Sequence, residues 1–274
     1  MNCYWIRNTE YDLKDLRRAS KGVAVLPLGS IESHGPHLPL GSDTLTIAHM
    51  LERVIAKETV AVLPVLPYSY VGEARMLPGA IHVPSHILMD QVEAICDEVH
   101  RNGFDKIVLL HGHGGNVPLH SMFVKRMQER CKPYAVYSLP PLCNMKVDIA
   151  EIIESSEWGH ACEMETSANL VFAPELVNLK RLGKKRFPAQ PGPDVGGALT
   201  SVDWTARHPE MAVGDPQKAT AEKGEKIISE WAKGVIDALR KIKRDRIAPV
   251  TIRRFNRRVA NPQSIAERKP NKKR

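Results

Sequence analysis

Along the chain, short runs of β-branched and other apolar residues alternate with longer stretches in which apolar positions recur every three to four residues. The first pattern predicts buried strands and the second amphipathic helices. Strands are expected at residues 23–31, 60–66, 106–111 and 135–138, with a further short one at 176–179. Helices are expected at 44–57, 86–102, 117–130, 166–172 and 219–240. Ser42 or Asp43 stands where the first helix needs an N-cap, and Gly103 follows the second as a C-cap. The alternation reads as βαβ units, hence an α/β fold around a mostly parallel sheet. Pro- and Gly-dense residues 188–197 predict a long functional loop or lid. There is no internal repeat and no sharp interior break in composition, so residues 1–243 read as one domain. Residues 244–274 hold Pro249, Pro262 and Pro270, heavy charge and few apolar side chains, and predict a mostly disordered basic tail.

Composition narrows the class without naming a function. With 274 residues, 43% hydrophobic and 26% charged, wholesale disorder, collagen-like sequence and a disulfide-stapled miniprotein are excluded. No apolar run approaches the roughly 20 residues of a membrane helix. The first residues lack the apolar core and small-residue cleavage site of a signal peptide. Five cysteines, an odd number with no CxxC pair, suit free thiols in a reducing compartment. The expectation is a soluble, cytoplasmic protein.

Charge is unevenly placed. The chain carries +8, but residues 240–274 alone hold fourteen Lys/Arg against Asp245 and Glu267, leaving residues 1–239 at −4. The body is mildly acidic and the tail strongly basic. The run Arg253-Arg-Phe-Asn-Arg-Arg258 offers phosphate contacts and so nucleic-acid binding; a solubilising or subunit-contacting extension is the favoured reading.

Three clusters of polar groups follow predicted strands, at the sheet edge where α/β proteins bind ligands. The first is Gly29-Ser-Ile-Glu-Ser-His-Gly-Pro-His-Leu-Pro-Leu-Gly-Ser-Asp43. Glu32 and His34, two apart on extended chain, point to the same side. Asp43 opens the following helix and can return its carboxylate to that space. The second is His111-Gly-His-Gly-Gly-Asn116, with two imidazoles at the same spacing, and the third is His160-Ala-Cys-Glu-Met-Glu-Thr-Ser167. Carboxylates and imidazoles together are ligand chemistry for Zn²⁺, Mn²⁺ or Fe²⁺. A set that includes an aspartate able to bridge suits two ions about 3.5–4 Å apart, a pair that yields hydroxide at neutral pH and polarises a carbonyl. Any one of these residues alone would be unremarkable: a lone histidine is usually structural, and Asp43 by itself is an ordinary helix cap.

Together, residues 26–43, His111–Asn116, His160–Ser167 and Gly214-Asp-Pro-Gln-Lys-Ala-Thr-Ala-Glu-Lys-Gly224 resemble, in order, the motifs of the creatininase (creatinine amidohydrolase) family. The resemblance implies a single-domain, three-layer α/β/α fold, two divalent metal ions and hydrolysis of a non-peptide C–N bond in a small-molecule amide. It also implies a homo-oligomer, often a hexamer. It places Glu32 and His113 on one metal and His34 on the other, with Asp43 bridging. Creatininase itself has a glutamate where this chain has Gly115, so the resemblance to the Gly-Gly-Asn branch points to Glu163 as the completing ligand. That branch includes a formylaminopyrimidine deformylase and a peptidase of redox-cofactor maturation. His160 becomes the proton shuttle; Glu165 either orients it or replaces Glu163. His111 reads as a partner of a ligand or a plain strand-end histidine, and Cys162 as inert packing. His37 reads as a substrate contact or a turn residue, and Trp158 as a pocket wall or core residue. Arg75 or Lys184–Arg186 would serve a phosphorylated substrate. The rival functions are creatinine hydrolysis proper, small-peptide cleavage, and non-catalytic metal or ligand binding.

Overall fold

The computed structural model describes residues 2–262. The sheet grows outward from β1 (Val23–Leu28), buried at all six positions. It pairs with β2 (Ala61–Val62) on one side and β3 (Lys106–His111) on the other, and β4 (Ala135–Leu139) adds beyond β3. All pairs are parallel, in the order β2-β1-β3-β4, with Ala24 opposite Ile107 and Val25 opposite Val108. Among the described residues eight α-helices follow in chain order: α1 (Leu13–Ala19), α2 (Ser42–Ile55), α3 (Ser85–Arg101), α4 (Val117–Glu129), α5 (Glu163–Phe172), α6 (Asp203–Arg207), α7 (Ala221–Arg244) and α8 (Ile247–Ala260).

Alternation along β1 and β3 sorts their side chains into two cores. Val23, Val25, Val108 and Leu110 pack with Ile47, Met50 and Val54 of α2 and Ile228, Trp231 and Val235 of α7. Ala24, Leu26, Leu28, Ile107 and Leu109 pack on the other face with Leu88, Val92 and Cys96 of α3 and Phe123 of α4. A sheet covered on both faces needs strands apolar at every position, which is why β1 reads as an unbroken apolar run. This is the three-layer α/β/α, single-domain architecture.

Most expected elements stand within a few residues of their predicted bounds, and Gly103 follows the end of α3 two residues on, with a φ of +91° that suits glycine. The strand expected at 60–66 is shorter: Leu63 donates to the Val25 carbonyl of β1, but the next amide to reach β1 is that of Leu66, to Pro27, so the alternate spacing of a parallel ladder is lost after Leu63. No strand forms at 176–179: two 3-10 turns, Pro174–Leu176 and Leu179–Leu182, lie there. The expectation of a mostly disordered tail is corrected for α8. Pro249 falls in that helix's first turn, where no intrahelical N–H is required. Asp245 Oδ1 accepts the Ile247 and Ala248 amides at 2.7 and 3.3 Å, and Asn256 donates to the Cys131 and Lys132 carbonyls. The expected tail's residues 263–274 lie outside the described residues. Among the described residues no helix is long and apolar enough to cross a membrane.

Candidate metal centre

In chain order β2 lies to one side of β1 and β3 to the other, so the connections after β1 and β3 part in opposite directions. That divergence leaves a crevice at the strands' carboxyl ends. The first two polar clusters of the sequence fall there. Glu32 and His34 stand on the loop after β1, Asp43 in the first turn of α2, and His113 just past β3. Glu165, in the first turn of α5, approaches from the covering layer.

Ligand atoms of Glu32, Asp43 and His113 lie within 4.8 Å of one another, and so do those of His34, Asp43 and Glu165. Asp43 belongs to both triads. A third group joins Glu32 and His34 to His160. Both ligand-type imidazoles are anchored through the nitrogen that faces away. His113 Nε2 donates to the Tyr70 carbonyl at 2.8 Å, leaving Nδ1 2.8 Å from Asp43 Oδ2 and 2.9 Å from Glu32 Oε1. His34 Nδ1 donates to the Glu32 carbonyl at 3.2 Å, turning Nε2 toward Asp43 at 3.2 Å and Glu165 at 3.8 Å. Such backbone anchors fix the orientation of metal-binding histidines. Ser30 donates to Asp43 Oδ2 at 2.8 Å.

The electrostatics call for positive charge. Burial alone opposes ionisation here, yet Asp43 is held well below the usual carboxylate range by His34 and His113. Burial lowers the His34 pKa, but the carboxylates of Asp43, Glu165 and Glu32 outweigh it and raise it to about 10. Burial pushes the Glu165 carboxyl up to about 8. Burial and the neighbouring His34 lower His160 to about 4. Glu32 Oε1 is buried and accepts no hydrogen bond. Three crowded carboxylates and an orphaned carboxylate oxygen fit two divalent cations.

His160 lies tilted against His34, with ring centroids 4.1 Å apart and planes at 33°, and its Nε2 donates to the Ser33 carbonyl at 2.7 Å. Glu165 Oε2 accepts the Ala161 amide at 2.6 Å. The same carboxylate therefore reaches the cluster and ties the turn that carries His160.

Glu163 does not join them. Helix α5 begins at Glu163, so residues 163 and 165 stand about 200° apart around its axis, and only one can face the crevice. Glu163 faces away: it accepts the Glu154 and Ser155 amides at 3.0 and 2.8 Å and pairs with Lys223 at 2.5 Å. The expected helix start at 166 concealed this. At Gly115 a Cβ would sit 2.4 Å from His113 Nε2, so with this backbone the ring leaves no room for the side chain that creatininase has at that position.

The secondary candidates divide. His111 Nε2 meets Ser138 Oγ at 2.9 Å, outside the cluster. His37 is buried against Thr166 at 2.8 Å and holds its loop to α5. Cys162 is buried packing. Trp158, half-exposed, does wall the cavity beside the cluster. Trp204 escaped sequence reasoning, since no motif surrounds it; it stands edge-on to His160 with centroids 6.4 Å apart.

The profile of the family described as "Creatininase: Creatinine amidohydrolase" matches residues 8–239. The chain belongs to the creatininase family. It is 26% identical to the 3-dehydro-scyllo-inosose hydrolase of Thermotoga maritima, with 85% of this chain and 81% of that protein covered. It is 29% identical to the mycofactocin precursor peptide peptidase of Mycolicibacterium smegmatis, covering 82% and 87%. Among solved structures, a creatinine amidohydrolase superposes with a TM-score of 0.75 at 25% identity, over 89% of this chain and 98% of that one.

Proposed function

We propose that this creatininase-family protein is a dinuclear-metal amidohydrolase that cleaves a C–N bond other than a peptide bond in a small-molecule amide. The observation that carries the proposal is the pair of buried triads sharing Asp43. In this reading Glu32 and His113 would hold one ion, His34 and Glu165 the other, and Asp43 would serve both. The donor set of carboxylate oxygens and imidazole nitrogens suits zinc, manganese or iron. When bound, the two ions would acidify water and polarise the carbonyl under attack.

The chain's own residues do the rest. Tyr70 and Glu32 carbonyls lock the ligand imidazoles in the tautomer that presents a lone pair to the crevice. His160, its Nε2 committed to Ser33, keeps Nδ1 to take the proton released on attack and return it to the leaving nitrogen. Glu165 fixes that imidazole by holding the Ala161 amide. Apolar walls around the crevice limit bulk water and strengthen these interactions. The free cysteines fit a reducing compartment, and the proposal places the enzyme in the cytoplasm as a homo-oligomer.

Metal quantification on protein purified without chelator, paired with a formamide, lactam and cyclic-urea screen, tests the reading. Two equivalents of metal and turnover of one amide class are expected. Metal-free protein that hydrolyses amides, or metal-loaded protein inert to all three classes, would refute it.

A further inference from the structure

The crevice continues into a cavity of about 1010 Å³, at the upper end of the roughly 300–1,000 Å³ typical of sites for drug-sized ligands. It runs from the metal cluster between α5, α7, the start of α4 and the connection from β4 to α5. Its walls include Val117, Pro141, Met145, Ile149, Ile227 and Trp231. Apart from the cluster, the charged side chains on the wall are Glu73 and Asp148, both acidic; among the described residues no lysine or arginine lines it. The basic residues that sequence reasoning reserved for a phosphate are engaged or absent from the wall. Lys185 pairs with Glu210 and Arg186 with Asp215, and Arg75 does not reach the cavity. Away from the metal cluster an anionic substituent would meet two carboxylates and, among the described residues, no lysine or arginine, while an apolar one would be removed from water against aliphatic and aromatic carbon.

Resting on the amidohydrolase reading, we infer that the substrate is an amide whose non-reacting part is bulky, apolar and uncharged, and that this part fills the cavity. The reaction stays a simple hydrolysis: a water oxygen forms the new C–O bond, the C–N bond breaks, and the proton returns to nitrogen, giving a carboxylic acid and an amine.

The test uses metal-loaded full-length protein and two homologous series. One comprises N-formyl alkyl- and phenylalkylamines, the other acyl amides of ammonia, both of rising length, each also made with a terminal phosphate. Binding of the neutral fluorophore N-phenyl-1-naphthylamine is measured in parallel. In the series whose apolar side faces the cavity, kcat/KM should rise about fourfold per buried methylene, and each phosphorylated member should be poorer than its neutral counterpart. The fluorophore should bind and be displaced by the longest substrates. Val117→Arg, at a half-exposed rim position that tolerates a long side chain, should shift the preference at least tenfold toward the phosphorylated members. Flat or falling series, or a preference for phosphate in the unaltered protein, with short formamides still hydrolysed, would overturn the cavity assignment and leave the hydrolase intact. Fluorophore binding without hydrolysis of any member would support the apolar cavity and overturn the hydrolase reading beneath it.

Discussion

Removing the Glu163 carboxylate separates a staple from a ligand. Its oxygens accept two backbone amides, Glu154 and Ser155, and pair with Lys223, which itself also reaches Glu154 Oε1 at 2.7 Å and the Lys218 carbonyl at 2.8 Å. Glu163→Ala orphans both amides and breaks a buried ion pair. Breaking such a pair costs about 3–5 kcal/mol, and the ammonium's two remaining partners place this case near about 3 kcal/mol. For a domain of this size that is a loss of roughly 6–12 °C in Tm. Glu163→Gln keeps an acceptor for the amides and should cost about half as much. Burial pushes the carboxyl pKa up, but Lys223 and the amides outweigh it, so the folded value lies below the ordinary 4.5. A depressed carboxyl stabilises the fold above its unfolded pKa and loses that contribution as pH falls through its folded value. The difference between wild type and Glu163→Ala should therefore be full at pH 7 and shrink below about pH 4.5. Urea unfolding at pH 7 and pH 3, with metal quantified on the same samples, reads all of this. Two metals per chain and a lowered urea midpoint are expected. A variant that loses one metal while its midpoint stays put would make Glu163 a ligand and refute the geometry.

Asp43→Asn should drop bound metal below two per chain and cut turnover beyond the about 10–100-fold typical of losing a partner that merely orients a ligand; undiminished metal in elemental analysis would remove Asp43 as the bridge. His160→Ala should retain both ions but lose about 10²–10⁴-fold in kcat, and metal loss there would make it a ligand. Gly115→Glu should weaken metal binding, because its Cβ collides with His113 Nε2 and displaces the ring from Tyr70; a gain in creatinine hydrolysis with metal content unchanged would contradict this. Asp245→Ala removes the cap of α8 and should raise amide exchange at Ile247 and Ala248, at a cost of about 1 kcal/mol; unchanged exchange would mean the helix is held by Asn256 and packing alone.

The sheet was legible because its strands are buried on both faces, and total burial writes a continuous apolar run that needs no partner to be recognised. What resisted reading was set by single backbone groups. After Leu63 the β2 ladder loses its alternate spacing, because the next amide to reach β1 is that of Leu66. Pro249 resembles a breaker in a charged tail, yet three positions into a helix it breaks nothing, and the carboxylate that starts α8 lies upstream at Asp245. Charge density alone therefore mistook a docked helix for a disordered segment: the hydrogen bonds from Asn256 to β4's approach are long-range and leave no mark on composition.

The centre itself divides along the same line. Glu32, His34, Asp43 and His113 sit beside strand ends, where direction and register are already fixed by the sheet, so spacing sufficed to bring them together. The remaining carboxylate comes from α5, where facing depends on helical phase, and a start misjudged by three residues exchanges Glu163 for Glu165. Ion demand supplies what the local sequence cannot. In the proposed reading, two cations sharing Asp43 would take a third carboxylate opposite His34; Gly115 has no side chain to offer, and the staple to Lys223 already occupies Glu163. Glu165 is the carboxylate left within reach, and by holding the Ala161 amide it couples ligand placement to the position of His160. A change at this one residue should therefore move metal affinity and proton transfer together, whereas changes at Glu32 or His160 should move them apart.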